Sequence, residues 1–437
     1  MDESLPVVVI GAGPQGLAAA AHLLERGIEP SVLESGDRPA AAVRQWGHVR
    51  LFSGWGELVD AAAARLLAGT GWTAPTDGYP LGTEWVESYL APLAAALGDR
   101  VRTGVRVTGV TRLGRDRIVD AGRVEQPFVV HVTTSDGVEE RILARAVLDA
   151  SGTWTKPSPA GADGLPALGE RTSAAVSYRV PDLANDDRFT GRHVVVIGSG
   201  HSAMTAVNEL ARLRDSHPDT RVTWVLRRGD IGDALGGGAA DQLPARGALG
   251  IRAREAVDAG AVHLVTGFRI RAIEQTGDVV TVIAEDGRKV LGVDRVVVLT
   301  GFRPDLSFLS EVRLDLDPTL QAPRRLAAEV DPNIHSCGTV KATGAADLAQ
   351  PEPGFYLLGA KSYGRAPTFL AMTGYEQVRS VVAMLAGDTA AAARVELALP
   401  DTGVCGGSGL FDVEDGAASC CTPTKQVLQL GLLPAGV

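Results

Sequence analysis

Twice in this chain a run of apolar, mostly β-branched residues stops at a glycine-rich turn and continues into helix-forming sequence. The first run is Val7-Val8-Val9-Ile10, followed without a gap by Gly11-Ala12-Gly13-Pro14-Gln15-Gly16 and then by Leu17-Ala18-Ala19-Ala20-Ala21-His22-Leu23-Leu24. The second is His193-Val194-Val195-Val196-Ile197, followed by Gly198-Ser199-Gly200-His201-Ser202-Ala203. A short strand with almost no polar position is covered on both faces, which is the condition of a parallel sheet flanked by helices. The pattern predicts an α/β chain with two parallel sheets, each ending one strand in a tight glycine turn.

The glycines alone would prove little. They number 52 among 437 residues, about 12% against an average of about 7%. At that density chance supplies about 0.7 G-x-G-x-x-G matches in a chain of this length. Context carries the weight. In the first unit Ser31-Val32-Leu33-Glu34 reads as a second strand ending in an acid, 23 residues after Gly11. There the first glycine permits the turn, the second lets backbone N–H groups approach a pyrophosphate, and the third packs helix on strand. The helix N-terminus attracts phosphate charge and Glu34 can accept from ribose hydroxyls. In the second unit Ala203 takes the place of the third glycine, a position that needs only a small side chain. Its following strand, Arg221-Val222-Thr223-Trp224-Val225-Leu226, ends in Arg227-Arg228. Two guanidiniums suit a 2′-phosphate where an acid would suit a free hydroxyl, so this unit is expected to bind NADPH. The competing account is a solvated strand end.

A further strand pattern recurs without a phosphate loop. Ala146-Val147-Leu148-Asp149-Ala150-Ser151-Gly152 and Val296-Val297-Val298-Leu299-Thr300-Gly301 each end in a small hydroxyl residue and glycine, with Pro157 and Pro304 close behind. Such ends let backbone pass near a bound dinucleotide.

Two dinucleotide units, each closed by a strand that ends in Ser/Thr-Gly, resemble the two-dinucleotide flavoproteins. The chain is most similar to the flavin-containing monooxygenase branch, beside the amine N-hydroxylases and Baeyer–Villiger enzymes. The resemblance spans about residues 5–390 and implies two Rossmann-like domains, the NADPH domain inserted into the FAD domain. The implied division is residues 1–160 for the first part of the FAD domain, 161–305 for NADPH, 306–395 for the FAD return segment and 396–437 for a tail. It further implies that Gly11, Gly13, Pro14, Gln15 and Gly16 hold the FAD pyrophosphate and Glu34 the ribose. Val107 would touch adenine with its backbone, and Trp46, Leu51 and Phe52 would reach toward the isoalloxazine. Ser151, Gly152 and Gly359 would pass close to FAD, with Thr368 and Phe369 opening a helix near the flavin pyrimidine edge. NADPH would fall to Gly198, Ser199, Gly200, His201, Ser202, Ala203, Arg227, Arg228 and Gly301. The family's F-x-G-x-x-x-H stretch before the second unit is absent; Gly164–Glu170 and Phe189–Arg192 occupy that interval.

Reduced flavin passes electrons to a disulfide or to O₂. The first route usually needs a C-x-x-C, and the four cysteines, Cys337, Cys405, Cys420 and Cys421, make none. The oxygen route, through a flavin C4a-hydroperoxide, needs no side-chain nucleophile, so catalytic side chains are not expected to stand out. The expectation is an NADPH-dependent FAD monooxygenase acting on a small soft nucleophile with O₂. A disulfide reductase or oxidase and an amine N-hydroxylase are the alternatives. Cys405 and the vicinal Cys420-Cys421 lie in a Gly/Ala/Ser-rich tail and could jointly ligate a thiophilic centre. The chain also resembles flavoproteins encoded with arsenic-resistance genes, which would make that centre a trivalent arsenical. Cysteines without a role are the competing account.

The net charge of −10 and the 5% aromatic content argue against a nucleic-acid partner. The apolar N-terminal run follows Met-Asp-Glu-Ser, not a basic segment, and contains Gly, Pro, Gln and His, so no membrane span is expected. Together with the sparse cysteines this gives a cytoplasmic expectation. No Cys/His set has zinc-ligand spacing, so no metal is expected. The loop that holds Gly236-Gly237-Gly238 is read as a candidate lid or a plain surface loop. The apolar Val427–Leu433 patch would dock on the body or on a second copy in a homodimer.

Overall fold

The computed structural model describes residues 4–235, 238–241, 243–332, 342–367 and 369–397. Two five-stranded parallel sheets organise it. In the first, the strand order is Phe355–Leu357, Ala146–Asp149, Val7–Ile10, Pro30–Leu33 and Val101–Arg102. In the second it is His263–Val265, Arg221–Val225, His193–Ile197, Arg295–Val298 and Val176–Ser177. The glycine-turn strand is central both times. Its neighbours are the next strand in sequence on one side and the strand that ends in Ser/Thr-Gly on the other.

Burial explains the composition of the central strands. Val7, Val8 and Val9 are fully buried, as are Val194, Val195 and Val196. Each sits between two cores, and alternate valines belong to different clusters. The helix Pro14–Glu25 and the helix Ala371–Leu385 pack against one another beside the first sheet, although their first residues are 357 positions apart. The strand Phe355–Leu357 returns to pair with Ala146–Asp149, so the first sheet is completed by sequence lying beyond the second.

Two antiparallel three-stranded meanders complete the body. One comprises Val105–Arg112, Phe128–Thr134 and Glu139–Ala144; the other comprises Ile270–Thr276, Val279–Ala284 and Lys289–Val293. The first is tied to the return segment by a buried cluster. Arg112 Nε donates to Glu352 Oε1 at 2.8 Å, and Arg123 Nη2 donates to Glu352 Oε2 at 2.8 Å. Arg112 also lies over the Phe128 ring at 3.7 Å. Glu170, in the Gly164–Glu170 interval, is likewise buried. It accepts from the Ala160 and Ala167 N–H groups and from the Tyr178 hydroxyl, which gives that stretch a packing role of its own. Among the described residues no helix is long and apolar enough to cross a membrane.

Candidate functional site

Both glycine turns lie at the carboxyl ends of central strands, where the strands on either side connect in different directions. This is the crevice that open α/β sheets use for ligands. At the first turn Gly11 has φ +98°, and a Cβ there would meet Ala150 O at 2.9 Å. A Cβ on Gly16 would lie 1.9 Å from Gly11 O, so the close approach of helix to strand requires glycine. Gly13 differs: a Cβ there meets nothing within 4 Å. It caps the helix Pro14–Glu25 without any side-chain hydrogen bond, and Pro14 follows at the first helical position. A helix N-terminus uncapped by side chains and open at Gly13 fits a pyrophosphate.

The second turn repeats this geometry. Gly198 has φ +130° and a Cβ there would lie 2.2 Å from Leu299 O. A Cβ on Gly200 meets nothing within 4 Å, and Gly200 caps the helix His201–Ser216 with no side-chain bond. Ala203 is fully buried, so its methyl is accommodated where the first unit needs Gly16. Ser199 is half-buried and Ser202 exposed on that turn. Arg227 is exposed and Arg228 half-buried just past the strand Arg221–Val225, and Arg227 Nη1 donates to Ala162 O at 3.1 Å.

Glu34, expected to accept from a ribose, is bonded to the glycine turn itself. Its Oε2 accepts from the Ala12 N–H at 2.9 Å and its Oε1 from the Gly36 N–H at 2.7 Å. The carboxylate thus shapes the glycine turn while each oxygen keeps a further lone pair for a hydroxyl. The strand carrying Val107 starts beside it, with the Val105 N–H donating to Glu34 O at 2.8 Å. Trp46 packs on Trp85 and closes over Gly82, where a Cβ would meet the Trp46 ring at 2.9 Å. Leu51 and Phe52 are half-buried. Phe52 meets His201 ring to ring at 5.0 Å, so a residue assigned to the flavin side touches one assigned to the NADPH turn. Burial and the nearby Arg246 guanidinium push the His201 imidazole down to about 4, which keeps it neutral.

The return segment brings residues that motif reading did not single out. Lys361 Nζ, fully buried, donates to Asp149 Oδ2 at 2.6 Å and to Ser151 Oγ at 3.0 Å, and lies 4.4 Å from the Phe308 ring centroid. Asp149 in turn accepts from the Ser151 N–H and hydroxyl. This pair ties the Ser151-Gly152 strand end to the loop after Gly359. Gln377, also fully buried, accepts from the Gly359 N–H at 2.9 Å and donates to Ser362 Oγ at 3.0 Å. Gln15 lies in the same corner: its amide nitrogen donates to Ala371 O at 3.5 Å, and Cβ atoms on Gly359 or Gly374 would run into its side chain. Phe369 is half-buried and meets Tyr363 edge-on at 5.2 Å. Gly152 and Gly301 both have positive φ, and added Cβ atoms there meet nothing within 4 Å. Thr368, the three tail cysteines, Cys337, Gly236, Gly237 and the Val427–Leu433 patch lie outside the described residues.

The sequence matches the pyridine nucleotide-disulphide oxidoreductase family over residues 8–324, well over half of the chain. It belongs to that family. The chain is therefore a two-dinucleotide flavoprotein oxidoreductase that works with FAD and NADPH. Among curated proteins it is similar to the indole-3-pyruvate monooxygenase YUCCA1 of Oryza sativa subsp. japonica, 30% identical over 205 residues. That match covers 47% of this chain and 45% of the rice enzyme, less than half the length of either. Among solved structures, the bacillithiol disulfide reductase of Bacillus cereus superposes with a TM-score of 0.65 at 20% identity, covering 88% of this chain and 99% of that one. The flavin-containing monooxygenase of Stenotrophomonas maltophilia gives 0.54 at 23% identity, covering 88% and 98%. At such identities these two structures share the fold. Members of the fold oxygenate substrates or reduce disulfides, so the choice between them rests on this chain's own residues.

Proposed function

We propose that this chain is an NADPH-dependent FAD monooxygenase that transfers oxygen from O₂ to a small soft nucleophile. FAD would be held by residues 1–160 and 306–395, and NADPH by residues 161–305. The observation that carries the reading is where sulfur is missing. No cysteine stands in the fingerprint Gly11–Gly16, in Trp46–Phe52, in Asp149–Gly152 or in Gly359–Phe369, and no C-x-x-C occurs in the sequence. A disulfide reductase needs an exchange-competent thiol beside the flavin. The chemistry that FAD would supply in this site is the reduction of O₂ by two electrons from NADPH and two from the substrate, with one oxygen atom going to the substrate and the other to water.

The protein's own part is binding, orientation and exclusion of water. The two open helix N-termini take the pyrophosphates, and Glu34 takes a ribose hydroxyl. Arg227 and Arg228 take the 2′-phosphate of NADPH. The buried Lys361–Asp149 pair, and buried Gln377 bonded to the Gly359 N–H, hold the strand ends against which FAD would lie. The uncapped N-terminus of Ala371–Leu385 offers its partial positive charge to an electron-rich ring edge. Neutral His201 against Phe52 closes the wall between the two cofactor segments.

Substrate-dependent NADPH oxidation in ¹⁸O₂, with label entering the product, is the expected result. Substrate-independent NADPH consumption with stoichiometric peroxide would instead establish an oxidase. The double variant Arg227→Ala/Arg228→Ala is expected to lose its preference for NADPH over NADH, and retention of that preference removes the phosphate assignment. A trivalent arsenical is the specific substrate we propose, gathered by Cys405, Cys420 and Cys421. Replacing all three by serine in the full chain is expected to weaken trivalent-arsenic binding, and unchanged binding removes that substrate.

A further inference from the structure

A cleft of 430 Å³ opens between the second sheet and the meander that covers one of its faces. Most of that face is filled by side chains: Val195, Ile197 and Val225 of the sheet share one core with Val280, Val282 and Val293 of the meander. The filling stops toward the amino ends of the strands. There His193 opens the central strand, Thr223 pairs with Val195 on one side and with His263 on the other, and His193, Thr223 and His263 all line the cleft. The turn Gly198–Ala203 leaves the opposite end of His193–Ile197, so the strand separates this cleft from the cofactor crevice.

The floor is polar, bonded and uncharged. His193 Nδ1 lies 3.0 Å from Gly292 O, which can only accept, so Nδ1 carries a proton. Burial holds this imidazole below its usual value and keeps it neutral, and Nε2 accepts from the Thr223 hydroxyl at 2.9 Å. Both side chains are buried.

Charge enters from the hairpin that leads into Lys289–Val293. Arg288 Nε donates to Asp286 Oδ2 at 2.7 Å, Nη1 donates to Thr266 O at 3.1 Å, and Nη2 donates to Gly267 O. These bonds hold the guanidinium 5.4 Å from the Phe268 ring centroid and leave it two further N–H groups. Asp286 balances its charge. Lys289 is exposed, and among the described residues it makes no ion pair. No aspartate or glutamate lines the cleft. Its remaining wall is apolar, with Val265 and Val290 half-buried and Leu291 64% exposed. An unpaired ammonium beside a fixed guanidinium suits a carboxylate, and the wall suits an apolar body attached to it.

We propose that this cleft is a second ligand site, apart from the cofactor crevice, for a small carboxylate carried on an aromatic or branched aliphatic body. The carboxylate would lie between Lys289 and Arg288, and the body would cover Val265, Val290 and Leu291. The site is independent of the oxygenation chemistry and stands or falls without it.

Three probes of one shape test it: 3-phenylpropanoate, 3-phenylpropanol and 3-phenylpropylamine. Their binding to the full chain, loaded with FAD and saturated with NADP⁺, is measured calorimetrically at low ionic strength. The carboxylate is expected to bind about tenfold tighter than the alcohol, with the amine weakest, the effect of one partly screened cation. Acetate, which lacks the apolar body, should bind about tenfold or more weaker than 3-phenylpropanoate. Lys289→Glu should reverse the order of carboxylate and amine while NADPH affinity stays constant. Leu291→Ser should weaken all three probes by a similar factor. Both positions are exposed, so neither variant is expected to change the melting temperature. Carboxylate affinity unchanged in Lys289→Glu, no saturable binding in the presence of NADP⁺, or tightest binding of the amine by the unaltered chain overturns the proposal.

Discussion

Gly198 and Gly200 stand two residues apart and have unlike jobs. Gly198 holds φ +130°, and a side chain there would collide with the Leu299 carbonyl; Gly200 faces open space. Gly198→Ala is therefore expected to destabilise the fold by about 1–3 kcal/mol, visible as a lower melting temperature. Gly200→Ala should leave melting nearly unchanged and weaken NADPH binding, because its methyl intrudes only on the ligand's space. Equal loss of stability in both variants would contradict this division. His201, at the start of the same helix, makes a pH prediction. Its imidazole is held down to about 4 in the folded chain, against 6.5 when unperturbed. The unfolded chain then binds more protons between those values. The stability it contributes is fully present above pH 6.5 and is lost as pH falls toward 4. A shift of this size corresponds to up to about 3 kcal/mol. His201→Asn should flatten the acid limb of the unfolding free energy over that window and leave it unchanged above neutrality.

At the level of elements, the Arg112–Glu352–Arg123 cluster joins a meander to the return segment across 240 residues of sequence. Burial alone would raise the Glu352 carboxyl, but the two guanidiniums prevail and hold it below 4.5. The group thus favours the fold above its unfolded value, and that contribution disappears as pH falls through the lowered folded value. Glu352→Gln leaves two buried guanidiniums without their counter-charge and should cost about 3–5 kcal/mol in denaturant unfolding. A loss below about 1 kcal/mol would show that the cluster is solvated. The Lys361–Asp149 pair has the same character at the other end of the segment, with both side chains fully buried. No local pattern marks either pair. Lys361 follows a strand-loop junction by sequence, and only the pairing of Phe355–Leu357 with Ala146–Asp149 brings it to Asp149.

At the scale of the whole molecule, two crossings connect the sheets and run side by side. Pro157 bridges Phe302 antiparallel, the Ser158 N–H donates to Gly301 O at 2.9 Å, and the Arg303 N–H donates to Lys156 O at 2.9 Å. Trp154 stacks near Phe302 at 5.3 Å, lies under the Arg179 guanidinium at 3.7 Å and donates to Gln45 Oε1 at 2.8 Å. A single indole therefore touches the crossing, the second unit and the flavin-side segment. Trp154→Ala is expected to slow NADPH-driven flavin reduction by about 10- to 100-fold while FAD affinity stays constant, since a small misplacement of reacting groups is costly. Stopped-flow reduction traces decide it, and an unchanged rate would show that the orientation of the two units is set elsewhere.

Parts of the molecule whose physics is local can be read from residue order. Unbroken valine runs need two covered faces, a glycine at positive φ tolerates no side chain, and arginines or an acid at a strand end choose between phosphate and hydroxyl. Hence both parallel sheets, their turns and the two nucleotide units were legible from Val7–Gly16 and His193–Ala203. Contacts between residues well over a hundred positions apart come from the fold alone. Lys361 with Asp149, Glu352 with two arginines, and Phe52 with His201 carry no periodicity and no spacing rule. Glu34 shows the boundary between the two. Its type and place predicted a ribose acceptor, whereas its two backbone bonds, which shape the glycine turn itself, exist only once the strand and turn are folded together.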